Sequence, residues 1–295
     1  MDYISHILVL VLLYWALAGA LNLITGYTGI LSIAHAAFYG VGAYTAALMS
    51  LHFHTPFTVN ILCAAVTCMV LGLMVGGPTL RLRRDDFVVG SFALQIIAFS
   101  IFNNWISLTG GPIGLPGIPP PTFIGYAITS RWAFVVLTGI FAAVVFGLLR
   151  IIVLAPFGRV LRAIREDEVF PAAMAKNVYV HKLLAFVVCA VIAGCAGVIY
   201  AHYMRYIDPS SFSFMESVFM ISIVVLGGAG SLWGPLVGAA VLVVMPEVLR
   251  LIGLPDGVAA NLRQCVYGAV LAACMLWRPQ GLVGEYAFGR EAKPK

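Results

Sequence analysis

Apolar residues run in long unbroken blocks along this chain, and the polar positions gather into a few short islands between them. From Tyr3 to Leu80 there is no Asp, Glu, Lys or Arg, and the stretches 87–130, 132–149, 183–204, 217–246 and 264–277 are equally free of them. A helix rises about 1.5 Å per residue, so roughly 20 apolar residues cross the hydrocarbon core of a bilayer. A transmembrane barrel would instead show segments of about ten residues with alternating polarity. The blocks are continuous, so the pattern predicts helical spans near 3–23, 28–51, 57–77, 87–108, 131–155, 182–203, 214–229, 233–250 and 258–277. The expected fold class is all-α: a polytopic membrane helix bundle of about 8–10 spans with interrupted helices, one transmembrane domain over residues 1–295.

Composition closes off the alternatives. Hydrophobic residues make up 62% of the chain and charged residues 10%, against about 25% charged in an ordinary soluble domain. The first block has no basic start and no small-residue cleavage site, so it reads as a retained span. The six cysteines sit inside apolar runs without a C-x-x-C pair, which fits small buried hydrophobes better than a metal or disulfide framework. The net charge of +5 resides mostly in loops and tail, where it sets orientation and meets anionic headgroups; it does not suggest nucleic acid.

Thirteen of the 17 Lys and Arg residues fall in three regions: Arg81 to Arg84, Arg150 to Lys182, and Arg278 to Lys295. The positive-inside rule makes these cytoplasmic. Charge does not orient the N-terminus: a full crossing by Gly29 to Leu51 would put Met1 outside, and a re-entrant turn would put it in the cytoplasm. On the outer side, the Gly- and Pro-rich stretch from Thr109 to Pro121 forbids a regular helix and reads as a stiff cap or a plain connection.

Two glycine-punctuated segments interrupt the oily sequence. One runs from Thr25 through Gly26, Gly29, Ser32, His35, Phe38, Gly40 and Gly42 to Tyr44; the other runs from Leu226 through Gly227, Gly228, Gly230, Ser231 and Gly234 to Gly238. Irregular backbone at membrane depth survives only where it is buried in protein or lines a wet cavity, and in transporters such breaks point toward the pathway. Close helix packing uses the same glycines. Gly29, Ser32, His35, Phe38, Gly228, Gly230 and Ser231 are therefore the candidate path residues. Both segments follow glycine and serine with an aromatic and further glycines, a weak hint of an internal repeat.

The most informative island is Gly158, Arg159, Val160, Leu161, Arg162, Ala163, Ile164, Arg165, Glu166, Asp167 and Glu168. Val160, Leu161, Ile164, Val169 and Phe170 recur at helical spacing with arginines on adjoining faces, which predicts a short amphipathic surface helix followed by a turn and a return over about 156–182. Its three acids would be repelled by anionic lipid, so a protein groove suits it better.

With these motifs assembled, the chain resembles the permease subunits of branched-chain amino acid ABC importers, the LivH/LivM-type family, and within it the LivM-like half, from about Leu21 to Gly284. Carrying the resemblance are Gly26 to Phe38 with Gly40 to Tyr44, Gly158 to Glu168, Lys182 to Phe186, Asp208 to Phe212, Val225 to Ser231, and Arg278 to Leu282. The resemblance implies a multi-pass protein of the bacterial inner membrane and a heterodimer with a LivH-like permease. It further implies two cytoplasmic ATPase subunits that bind ATP and Mg, an extracytoplasmic solute-binding protein, and alternating access for branched-chain or other small amino acids or related amides and carboxylates. It makes Gly158, Arg159, Arg162, Ile164, Arg165, Glu166, Asp167 and Glu168 a coupling helix docked on an ATPase. This chain has no Gly-Lys dipeptide and hence no phosphate loop, so it is expected to be neither an enzyme nor a holder of its own cofactor. It departs from its look-alikes at Tyr27 (usually Gln), Ala34 (usually Gly), Ala175-Lys176 (usually Gly and an apolar residue), and Arg84 and Asp86 (usually Gly and Tyr).

The remaining polar residues keep other readings open. Glu216 and Glu247 fall near predicted span ends, where the interface would solvate them; as membrane carboxylates they would instead suit a stand-alone secondary transporter or channel. His35 with Ser32 could belong to an intramembrane enzyme, although no nucleophile, base and orienter can be assembled from spacing. His52 and His54 are too few for a closed metal site.

Overall fold

A computed structural model of the chain describes residues 2–123, 126–128, 130–251, 268, 272 and 280–284. Its helices are α1 (Asp2–Thr25), α2 (His35–Phe53), α3 (Phe57–Thr79), α4 (Arg84–Asn104), the single turn α5 (Ile106–Thr109), α6 (Arg131–Leu154), α7 (Pro156–Glu166), α8 (Val169–Ala173), α9 (Val178–Met204), α10 (Phe214–Gly227) and α11 (Gly234–Leu251). Eight of these match predicted spans, and the ninth expectation, 258–277, lies outside the described residues apart from 268 and 272. Among the described residues, five helices (α1, α3, α4, α6 and α9) are long and apolar enough to cross a membrane. The chain is a multi-pass, all-α membrane protein.

The most enclosed of the five long helices, α1 and α9, form the centre, with α2 and α3 against α9 and α6, α10 and α11 against α1. The outer faces of α3, α4 and α6 display Leu, Ile, Val, Met and Phe. On α6, Val136, Ile140, Val144, Leu148 and Ile151 recur every third or fourth residue as an exposed apolar stripe, the pattern lipid demands of a peripheral helix.

The first interrupted segment resolves the open question of orientation. After Thr25 the chain leaves the helix, and Gly29 to Ala34 carry no regular structure. They run back into the bundle, because His35 at the start of α2 donates Nε2–H to the Leu17 carbonyl at 3.1 Å, two turns or about 12 Å inside the end of α1. The extended piece and α2 together complete a crossing. At the other end of α1, His6 bonds the Tyr203 hydroxyl at 2.8 Å, so the start of α1 shares a side with the end of α9, opposite α7. With the basic islands cytoplasmic, the N-terminal end of α1 faces outward.

On that outward side the Gly- and Pro-rich loop is tied down. Strand β1 (Leu115–Pro116) pairs antiparallel with β4 (Tyr206–Ile207), while β2 (Thr122–Phe123) and β3 (Tyr126–Ala127) make a small hairpin. The Pro119 carbonyl can only accept, so His202 donates Nδ1–H to it at 2.8 Å, which leaves Nε2 to accept from buried Asn60 at 3.1 Å. Asn60 also donates to Ser50 at 2.8 Å. The cap is thus clamped to the outer ends of α2, α3 and α9.

This topology has a direct test in the full chain. A cysteine placed at exposed His54 should react with a membrane-impermeant thiol reagent added from outside intact cells, whereas one at exposed Lys176 should react only after permeabilisation; the reverse pattern would invert the bundle.

Candidate functional site

The charged island folds as α7, and its sequence explains why. Pro156 occupies the first turn, where a missing N–H costs nothing, and Gly158 packs against the Val153 carbonyl so closely that a Cβ there would collide with it. The chain can therefore turn sharply from α6 into α7. Leu161 and Ile164 are fully buried, while Arg159, Arg162, Glu166 and Asp167 project outward. The island divides into an inward anchor of Gly158, Leu161, Ile164 and Arg165 and an outward face of Arg159, Arg162, Glu166 and Asp167.

The apolar period of the island runs on past its acids in sequence, but the fold does not follow it. Val169 and Phe170 do not continue the buried stripe of α7. Asp167 adopts extended backbone, and its Oδ1 accepts the Val169 N–H at 2.9 Å, which stops one helix and starts another. The phase is broken, so α8 displays Val169 at 71% and Phe170 at 61% exposure. Glu168 turns back and pairs with Lys182 at the base of α9, Nζ to Oε1 2.6 Å. Ala175 just beyond α8 has φ +57°, the left-handed region that costs a residue with a Cβ roughly 1–2 kcal/mol. The family resemblance leads one to expect glycine at this position.

Arg165 is the link between the island and the interrupted helices. Its Nη1 donates to the Gly26 carbonyl at 2.8 Å, and its stem lies against Gly29, where an added Cβ would stand 2.8 Å from Arg165 Cγ. An ideal Cβ on Gly230 would lie 2.8 Å from Arg165 Nη1. Gly230 also sits at φ +82°, so glycine is required there on both backbone and spatial grounds. Arg162, one turn earlier, places its guanidinium 5.5 Å from the centre of the Tyr27 ring, within cation–π range. The Tyr27 departure therefore lies beneath α7.

A residue that sequence reading passed over completes the arrangement. Asn22, 2% exposed in the last turn of α1, accepts the Gly230 N–H at 2.9 Å through Oδ1 and donates Nδ2–H to the Ser231 carbonyl at 2.8 Å. One amide thus satisfies both an orphan donor and an orphan acceptor of the α10–α11 break. A lone amide inside an apolar span, four residues before Gly26, was the available signal.

The candidate path residues fall into two groups. Gly29, Gly228, Gly230 and Ser231 gather at the end of α1 near Asn22 and Arg165, and Gly228 (φ +113°) packs on the 281–284 segment, whose Val283 N–H bonds the Gly227 carbonyl at 2.9 Å. Ser32, His35 and Phe38 lie deeper and are buried; Phe38 meets Phe186 edge-on at 5.5 Å. Beside the junction a narrow crevice, with room for little more than a water molecule, opens between α1, α6 and the second break, lined by Trp15, Asn22, Tyr27, Phe146 and Leu232 among others.

The two membrane carboxylates separate. The side chain of Glu247 lies outside the described residues. Glu216 stands at mid-depth instead of a span end: Tyr14, the middle of α1, donates its hydroxyl to Glu216 Oε1 at 2.5 Å.

A multi-pass helix bundle with broken spans and a polar handle on one side is the architecture of a membrane permease. The chain belongs to the family described as the branched-chain amino acid transport system permease component, whose model matches residues 3–275. It is 31% identical to the high-affinity branched-chain amino acid transport system permease protein LivM of Escherichia coli, covering 93% of this chain and 68% of that protein. Against the probable LivM of Methanocaldococcus jannaschii the identity is 25%, over 96% of this chain and 94% of the relative. Against the LivH permease of Salmonella typhimurium it is 26%, over 92% and 91%. The chain is LivM-like, and no solved structure matches it.

The Asn22 junction gives a measurable expectation. Asn22→Ala strands the part-buried Gly230 N–H and Ser231 carbonyl, each costing about 1–3 kcal/mol where water cannot reach it. A loss of about 3 kcal/mol should appear as a lowered thermal midpoint of the purified protein, whereas an unchanged midpoint would show that the amide carries no such bonds.

Proposed function

We propose that this chain is the transmembrane permease subunit of an ATP-driven importer of the bacterial inner membrane, working by alternating access on a branched-chain or other small amino acid or a related amide or carboxylate. It pairs with a LivH-like permease. Two cytoplasmic ATPase subunits supply ATP and Mg chemistry, and an external solute-binding protein delivers solute to the capped outer side. The family assignment and the branched-chain amino acid transport systems of the relatives support the transport class and the solute class.

The observation that carries the coupling reading is the two-sidedness of α7. Its outward face offers a cationic and carboxylate surface, Arg159 and Arg162 with Glu166 and Asp167, flanked by the exposed side chains of Val169 and Phe170 on α8. Such a mixed surface suits a protein cleft, since guanidinium groups recognise carboxylates bidentately and exposed aromatics serve as anchors. Its inward side holds Arg165 on both helix breaks. Movement of a docked ATPase would reach Gly29 and Gly230 without an intermediate lever. On this reading the path runs between the two permeases, with Gly29, Gly228, Gly230 and Ser231 as hinges of its wall and Ser32, His35 and Phe38 in the layer behind.

Charge reversal on the outward face tests the assembly. Arg162→Glu combined with Glu166→Arg should abolish co-purification of the ATPase subunits and ATP-dependent uptake while the membrane chain still folds. Uptake by this chain alone, driven by a proton gradient and indifferent to ATP, would replace the importer reading with a secondary transporter.

A further inference from the structure

Glu216 is a carboxyl group set among apolar neighbours on α10. Among the described residues, Tyr14 is its hydrogen-bond partner at 2.5 Å and no Lys or Arg pairs with it. It lies in the first turn of α10. Tyr14 has 11 residues of α1 on one side and 12 on the other, so the pair sits about 16 Å from either end of that helix.

The surroundings argue against lipid as the neighbour of this group. Glu216 is half-buried, on a helix whose Phe214, Val218, Ile221 and Val225 are half-buried and whose Met215 is 58% exposed. A charged group at this depth is tolerated when it faces a water-filled cavity or an opposite charge. The apolar stripe of α6 has the composition of a lipid face, and this stripe, with a carboxylate in its midst, does not. α10 spans 14 residues, about 21 Å and short of a full crossing, and it begins beside the start of α2, where Ser217 Oγ accepts the Ala36 N–H at 3.0 Å. Two broken helices thus begin at one depth, next to a carboxyl group that has no cationic partner among the described residues.

We propose that the Glu216 carboxylate, held by the Tyr14 hydroxyl at bilayer mid-depth, binds the ammonium group of an amino-acid solute, and that the half-buried side of α10 is the wall along which that solute passes. This rests on the importer reading above. The chemistry is matched on both counts: the carboxylate and the phenol oxygen accept from an ammonium group, and Met215, Val218 and Phe219 offer contacts to an aliphatic side chain. Asn22 and Arg165 lie at the end of α1 and act on backbone, so nothing else described on this face supplies a negative charge.

The test uses the complete assembly of both permeases, ATPases and binding protein in proteoliposomes, with radiolabelled leucine as probe. ATP-dependent uptake by the unaltered assembly comes first; if it is absent, the importer reading fails and the inference fails with it. Given uptake, Glu216→Gln should lower the initial rate about tenfold, the equivalent of one lost charge-assisted bond, with ATP hydrolysis retained, and Glu216→Asp should recover much of it. Uptake by Glu216→Gln close to that of the parent overturns the inference. To separate binding from assembly, the unaltered complex is also treated with dicyclohexylcarbodiimide, a lipid-soluble carboxylate reagent. Leucine in excess should slow modification of Glu216, read by peptide mass, while its 2-hydroxy acid analogue should not. Equal modification with and without leucine, or complete protection by assembly alone, overturns the inference; the latter would assign Glu216 to a cation of the neighbouring permease.

Discussion

Two helix breaks in an oily bundle leave backbone groups that lipid cannot satisfy, and the architecture depends on how those groups are met. Asn22 supplies a donor and an acceptor to the α10–α11 break, and Arg165 supplies a charged donor to the end of α1. Both polar side chains converge because Gly26 and Gly230 have no Cβ: one at Gly26 would fall onto the Gly230 backbone nitrogen, and one at Gly230 would crowd Arg165. Glycine creates the breaks and also the space for the groups that repair them.

The same contact joins an amphipathic surface helix to the membrane interior. Leu161 and Ile164 fix α7 by burial, Glu168 ties the following turn to Lys182, and Arg165 reaches past the helix ends. Arg159, Arg162, Glu166 and Asp167 stay exposed beside these contacts, which suits a surface that meets another protein. On the far side, the clamp through His202, Pro119 and Asn60 holds the outer cap rigid. A bundle fixed at the outer end and joined to a handle at the inner end has its irregular segments where movement would be needed.

Much of this could be read from residue patterns. Charge-free blocks of about 20 residues located the spans because bilayer thickness sets helix length, and the island between Gly158 and Glu168 stood out because charge inside such a chain needs a reason. Depth and contact were less legible. Glu216 looked interfacial because α10 was counted as a full-length span, whereas its 14 residues start inside the bundle. Val169 and Phe170 followed the apolar period of α7 until Asp167 changed the backbone direction, a break that periodicity does not encode. Asn22 and Arg165 are separated by 143 positions in sequence, and their convergence on Gly26 and Gly230 is a product of tertiary folding.

The central claim is that Arg165 transmits motion between the ATPase side and the breaks, and the most direct measurement is solute moved per ATP hydrolysed by the reconstituted assembly. Arg165→Met keeps the length and apolar stem of the side chain but removes the donor to Gly26. The account expects hydrolysis to continue while the transport-to-hydrolysis ratio falls about tenfold, in line with loss of one charged hydrogen bond from the coupling step. An unchanged ratio, with transport and hydrolysis intact or declining together, would contradict it.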